Sequence, residues 1–320
     1  PNDPLTLNMR AAALLGKQDK AGARQTLEKA IALNGKFFPA VANLARIDLA
    51  EKKPDMAKKR FETLLSQDPN NLQAMLALAE LAALNKQEKE YVSWLEKATK
   101  AHPEALQPKS LLSRYHLAKK APDKAIDAAR EAVKQNPEDL AALNLLGATQ
   151  LAGKDSASAV DTYQKLVQKA PDSPDAYLRL GIAQLTAQKN IEGRASLNKA
   201  LQLKPDFLQA MDALLRLEMQ EKKPDAALQW AKKMQAATKS GVGLEREGDI
   251  QLAQKQPGLA AKAYRAALAK NGRIETLQKL HLALSQSGDA KAALAAVAQW
   301  AAQYPKDLRA KHFLATLHMQ

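Results

Sequence analysis

The sequence predicts an all-α chain built from one helical hairpin copied end to end, a helical solenoid rather than a globule with a single core. Three observations carry this. Proline stands at positions 1, 69, 103, 137, 171 and 205, so every gap is 34 residues or a multiple of it. The missing copies fall on Gly35 and Lys239 at the same step, and the register then slips by one residue to Gly272 and by one more to Pro305. Small residues recur at two fixed places within that period, where two helices must approach closely.

With the periodic proline counted as position 32, repeats begin at Pro4, Phe38, Leu72, Leu106, Leu140, Pro174, Leu208, Gly241 and Ile274, and a half-repeat covers 308–320. Position 8 on the first helix is small in eight of ten copies, among them Ala11, Ala45, Gly147, Gly181 and Gly248. Position 20 on the second helix is small in eight of nine, among them Ala23, Ala57, Gly193 and Ala260, so the hairpins can close. Position 7 supplies leucine from Leu44 through Leu214 to Leu314, and position 24 supplies bulk such as Phe61, Tyr163 and Tyr264. Each hairpin alone leaves an apolar stripe that only the next hairpin covers. The periodic proline ends the second helix, because the residue before proline avoids helical geometry; polar pairs such as Asn70-Asn71 and Glu138-Asp139 open the next repeat.

A 34-residue helix-turn-helix period is the signature of tetratricopeptide (TPR) repeats, and the expected architecture is a right-handed superhelix of about nine repeats plus one extra helix. The expectation is a single continuous array over 1–320, cut at both ends from a longer protein, because it starts on an inter-repeat proline and stops after one helix of a tenth hairpin.

Two irregularities are expected. Tyr91 occupies the small position 20 of the third repeat, with Trp94 close behind, which should push the second helix outward or shift its register. The segment from Lys239 to Gly243 loses a residue and holds two glycines, which predicts a hinge.

Composition excludes several classes. The apolar fraction is 46% with only 4% aromatic residues, as alanine-lined helix contacts require. No apolar run approaches the ~18 residues of a membrane span. With no cysteine, the segment contains no disulfide, thiolate metal site or cysteine nucleophile. The net charge of +14 sits largely in lysines at turns and outer faces, as in Lys52-Lys53 and Lys222-Lys223. Basic residues interleaved with aromatics are missing, which argues against nucleic acid. No two of the five histidines stand at the i, i+4 spacing of a metal pair, and Gly241 to Gly248 lacks the third glycine and the preceding strand of a phosphate loop. No catalytic, cofactor-binding or metal site is expected, and the chain reads as a non-enzyme.

Function in such an array belongs to the concave face, formed by positions 2, 5, 9 and 12 of the first helices. Candidate partner-binding residues there are Arg46, Glu80, Arg114, Asn144, Asp212, Arg216, Glu245 and Asp249. The three arginines are the anchors, since a guanidinium fork binds a carboxylate through two bonds. The expected partner is another protein or an extended peptide segment. No repeat pairs a lysine at position 5 with an asparagine at position 9, the pair that TPR domains holding acidic chaperone tails carry.

Beyond the repeat pattern, the wording of residues 61–81, 94–117, 145–184 and 247–268, and most tellingly Trp94-Leu95 and Ser113-Arg114-Tyr115, resembles the TPR-repeat lipoproteins of bacterial PEP-CTERM/exosortase exopolysaccharide systems. That resemblance implies a non-enzymatic scaffold for polysaccharide assembly or export, periplasmic and anchored to the outer membrane by a lipid outside this segment. A cytoplasmic location is the alternative. Other functional readings are a substrate-presenting region of a glycosyltransferase and direct binding of an anionic polysaccharide.

Overall fold

The computed structural model describes residues 3–319, and within them every regular element is an α-helix. The helix-ending role expected of Pro1, and Gln320 at the end of the half-repeat, lie outside the described residues. The helices gather into two compact units, Pro1–Asp155 and Ser156–Gln320.

The first unit holds α1 (Pro4–Gly16), α2 (Lys20–Leu33), α3 (Phe38–Ala50), α4 (Pro54–Gln67), α5 (Leu72–Leu84), α6 (Glu88–Ala101), α7 (Leu106–Ala118), α8 (Pro122–Gln135) and α9 (Leu140–Ala152). The second holds α10 (Ser156–Lys169), α11 (Pro174–Thr186), α12 (Asn190–Leu203), α13 (Leu208–Gln220), α14 (Pro224–Ala237), α15 (Val242–Ala253), α16 (Pro257–Asn271), α17 (Ile274–Gln286), α18 (Ala290–Gln303) and α19 (Leu308–His318). In each unit consecutive helices pack on one another, so within a unit each hairpin is covered by the helix that follows it, as the 34-residue period requires.

Local chemistry sets the joints. The periodic proline is the second residue of a turn closed by a backbone bond, as from the Asn71 N–H to the Asp68 carbonyl (3.1 Å) around Pro69. The polar residue after it caps the next helix: Asn71 accepts from the Ala74 N–H at 3.0 Å and Ser173 from the Ala176 N–H at 3.2 Å. Within each hairpin the chain reverses through a residue in left-handed geometry. Non-glycine residues from Gln18 through Lys120 to Lys255 fill that place with φ between 56° and 67°, and Gly288 fills it in the last complete repeat. A bond from three residues past the helix end back to its third-last carbonyl closes the reversal, as from Lys53 to Asp48 (2.8 Å).

The small positions do what the sequence requires of them. In the hairpin of α11 and α12, a Cβ on Gly181 would lie 2.7 Å from Leu197 and 3.2 Å from the Gly193 carbonyl oxygen. Gly181→Ala should therefore destabilise the second unit by about 1–3 kcal/mol through overpacking, read as an earlier denaturant transition of that unit; an unchanged transition overturns the close-approach argument.

Neither the register shift expected at Tyr91 nor the loosened linkage expected at Gly241 and Gly243 is seen. The helix carrying Tyr91 starts and ends at the same repeat positions as its counterparts, so the register does not shift. Its half-buried ring instead meets Tyr115 of the next repeat, centroids 5.6 Å apart. The glycines at 241 and 243 do not loosen the linkage. A Cβ on Gly241 would stand 2.6 Å from the Ala267 carbonyl oxygen, and one on Gly243 2.6 Å from the Gln235 nitrogen, so both mark tight helix contact.

Candidate functional site

The faces presented by the first helices differ between the two units. In the first, position 9 of three successive repeats places Arg46 on α3, Glu80 on α5 and Arg114 on α7, all exposed. Among the described residues, Arg46 and Glu80 form no side-chain hydrogen bond or ion pair, and Arg114 stands near the half-buried Tyr91 phenol. Glu80 lines a cleft of about 470 Å³ that is floored by Phe38, Leu76 and Leu111, with Gln73 and Gln107 at its rim. Tyr91 and Ala83 line this cleft and also a second one of about 360 Å³, whose walls include Arg114, Tyr115 and Lys119. The two clefts therefore adjoin at Tyr91 and Ala83. Asn144 on α9 is half-buried, and its Oδ1 is buried without a hydrogen-bond partner.

In the second unit the charged residues at positions 5 and 9 are held in ion pairs. Asp212 on α13 accepts from Arg216 one turn along (2.8 Å) and from Arg246 of the next repeat (2.5 Å). Arg246 also reaches Asp249 at 3.1 Å. Lys279 on α17 donates to both Glu245 and Asp249 at 2.8 Å, and Tyr264 donates to Asp249 at 2.9 Å. Glu245 is buried, and Arg273 (2.8 Å) and Thr276 (3.0 Å) complete its shell. It was expected on a solvated groove; its carboxylate is instead a contact between first helices. Burial alone would raise its pKa, but the bonds from Lys279 and Arg273 outweigh this and bring it to about 2. Lys279 is held above its ordinary value, its bonds to Asp249 and Glu245 outweighing burial. Burial and the neighbouring Asp249 charge push the Tyr264 phenol up.

Sequence reasoning missed the partners because they occupy position 6 of the following repeat. Arg246 and Lys279 stand 34 residues after Asp212 and Glu245, and Asn43 similarly donates to Asn8 at 2.8 Å in the first unit. Pairing of position 5 with the next position 6 was the available signal.

The repeat also builds one buried motif twice. Arg24 on α2 bridges Asp48 (2.8 Å) and Glu51 (3.1 Å) of the following repeat, with Lys53 on Glu51 at 2.8 Å. Five repeats later Arg194 bridges Glu218 and Glu221 (3.0 Å), with Lys223 on Glu221 at 2.8 Å. Asp48 and Glu218 are both buried. Among the described residues no three His, Asp or Glu side chains gather to hold a metal ion, and no helix is long and apolar enough to cross a membrane.

The tetratricopeptide-repeat family model matches residues 42–106 and 110–174. Among solved structures, the C-terminal part of a TPR repeat-containing protein from Cytophaga hutchinsonii is similar at 14% identity and a TM-score of 0.50, covering 85% of this chain and 99% of that one. A tetratricopeptide repeat protein from Parabacteroides merdae is similar at 16% identity and a TM-score of 0.48, covering 88% and 98%. YrrB, a TPR protein with an unusual peptide-binding site, is similar at 20% identity and a TM-score of 0.43, covering 58% and 96%. A comparison with curated proteins finds no match. The hairpins described above thus have the TPR fold.

Proposed function

We propose that this chain is a non-enzymatic scaffold that holds segments of other proteins on the first-helix face of its first unit. The observation that carries this is the contrast in charge use. Glu80 is exposed, has no side-chain partner and lines an apolar-floored cleft, and Arg46 at the same repeat position is exposed and unpaired as well, whereas Asp212, Glu245 and Asp249 of the second unit are held by internal pairs. A groove with an apolar floor and a polar rim suits the capture of an extended segment, whose side chains fill the floor while the rim fixes its path. A photocrosslinking residue at Gln73 or Gln107 should trap protein partners in cells, and one at Glu62 on the second helix α4 should not. Equal trapping at all three sites, or none, overturns the assignment.

The scaffold is proposed to serve bacterial exopolysaccharide assembly or export, in the periplasm, through a lipid anchor on the outer membrane. The resemblance of residues 61–81, 94–117, 145–184 and 247–268 to PEP-CTERM-system lipoproteins supports this reading. Fractionation of the native protein checks it: recovery with outer-membrane vesicles is expected, and recovery in the cytosol overturns it.

A further inference from the structure

We infer that a pocket between the second helices α2 and α4 of the first unit binds a single-chain fatty carboxylate of medium length, with the chain inside and the carboxylate on Lys59. The site is separate from the first-helix face, and its ligand is a small molecule rather than a protein.

The pocket has a volume of about 260 Å³. Ile31 of α2, the buried Val41 of α3, and Met56 and Leu64 of α4 give it aliphatic walls. Two departures from the repeat leave this space open. Gly35 stands where later joints carry prolines such as Pro69 and Pro103, so no ring fills the wall there. A Cβ on Gly35 would lie 2.1 Å from the Gln67 carboxamide oxygen, so the Gln67 side chain lies across the bare backbone. Arg60 is the second departure. At the same repeat position Trp94 and Trp230 lie against the apolar clusters of their joints, whereas the Arg60 guanidinium is tied to the buried Asp48 carboxylate and brings no ring to the space.

The lining defines the ligand. Lys59, Thr63 and Gln67 are exposed and so stand at the mouth, and Arg60 is already bonded to Asp48. The buried part of a ligand therefore meets aliphatic carbon and must itself be hydrocarbon, because a polar atom there would lose its water without replacement. The mouth favours an anion. Among the described residues no acidic side chain lines the pocket, and Lys59 forms no side-chain hydrogen bond or ion pair, so its ammonium is free to donate to a carboxylate. The lining residues of α4 run along one face of the helix, which makes the pocket a furrow parallel to its axis. From Lys59 to Gln67, where the furrow meets Gly35, the helix rises about 12 Å, the length of an extended chain of about ten carbons. The volume falls below the roughly 300 Å³ at which pockets for larger ligands begin, so it takes one such chain and not the two of a diacyl lipid.

Titration calorimetry of the full chain with hexanoate, octanoate, decanoate and tetradecanoate, each below its micelle concentration, tests this. Binding should tighten by about tenfold for each two carbons up to decanoate and gain little beyond it. Decanol, with the same chain and no charge, should bind at least fivefold more weakly than decanoate. Lys59→Glu changes one exposed side chain and should bring decanoate below decanol while leaving decanol unchanged. Met56→Glu, also at an exposed residue, sets a charge on the aliphatic wall and should weaken both ligands at least tenfold, with the helical circular dichroism of the wild type retained. No binding of decanoate, equal binding of decanoate by Lys59→Glu, or affinity that keeps rising through tetradecanoate overturns the proposal. Lys59-dependent recovery with phosphatidylglycerol vesicles, without binding of free decanoate, would give the pocket to membrane lipid and overturns it as well.

Discussion

Asp48→Ala should cost the first unit about 3–5 kcal/mol, read as a marked loss in the denaturant midpoint of that unit. The carboxylate is buried and accepts from Arg24 at 2.8 Å and from Arg60. Its removal leaves the Arg60 guanidinium, only 22% exposed, without its carboxylate; Arg24 keeps Glu51 at 3.1 Å. The loss comes from the uncompensated cation more than from the bonds themselves, because a buried ion pair roughly balances attraction against desolvation. That account makes a second measurement decisive. Adding Arg60→Met to Asp48→Ala removes the stranded charge and fills its space with apolar atoms, so a large part of the stability should return. If the double variant is no more stable than Asp48→Ala alone, the desolvation explanation is wrong. The copy five repeats later supplies a comparison: Glu218 is held by Arg194, and Trp230 stands where the first copy has Arg60. Glu218→Ala strands one fewer cation and should cost less.

Much of this architecture was legible because periodicity reports on burial. The repeat starts read from the proline spacing fall on the first residues of α3, α5, α7, α9, α11, α13, α17 and α19, whereas the start read at Gly241 is one residue early: α15 begins at Val242, a full 34-residue step from Leu208. Position 7 leucines such as Leu44, Leu78 and Leu214 are buried as expected. What escaped is information between repeats. A profile read down one column shows that position 5 is polar, but Asp212 and Glu245 are settled by residues one column over and one repeat on, Arg246 and Lys279. Lys109 escaped for a related reason. It stands at a position held elsewhere by Leu7, Val41 and Met211, and its stem is buried there while its ammonium donates to the Ala105 carbonyl at 3.1 Å and to that of Pro103. Tyr91 was read as an obstacle because a small residue is the rule at position 20; the space it needs is supplied beside Tyr115, at the interface with the next repeat. The face that carries the proposed function was found in outline, since Arg46, Glu80 and Arg114 are exposed in a row. The pairing of Asp212, Glu245 and Asp249 in the second unit became visible only in the structure.

Glu245→Gln should remove about 2–3 kcal/mol from the second unit at neutral pH, and the deficit should vanish in acid. The glutamate has a pKa of about 2 in the fold against an ordinary 4.5, because Lys279, Arg273 and Thr276 bond its charged form strongly enough to overcome burial. A carboxylate whose folded pKa is lowered contributes stability that is fully present above the unfolded value and is lost as pH falls toward the folded one. The window is therefore from about pH 5 down to about pH 2, and the gap between the two pKa values corresponds to roughly 3 kcal/mol. Denaturant titrations of wild type and E245Q at a series of pH values should give curves that are separated at pH 7 and converge near pH 2. Parallel curves would mean that the variant acts by packing alone. Because Glu245 links α15 to Arg273, Thr276 and Lys279 at the start of the next repeat, protonation loosens one specific joint of the stack while leaving the apolar contacts of Leu280 and Tyr264 in place. The charges on this face of the second unit thus serve to fasten successive first helices together, which is why the same repeat positions that are free to meet a partner at Arg46 and Glu80 are closed to one at Asp249.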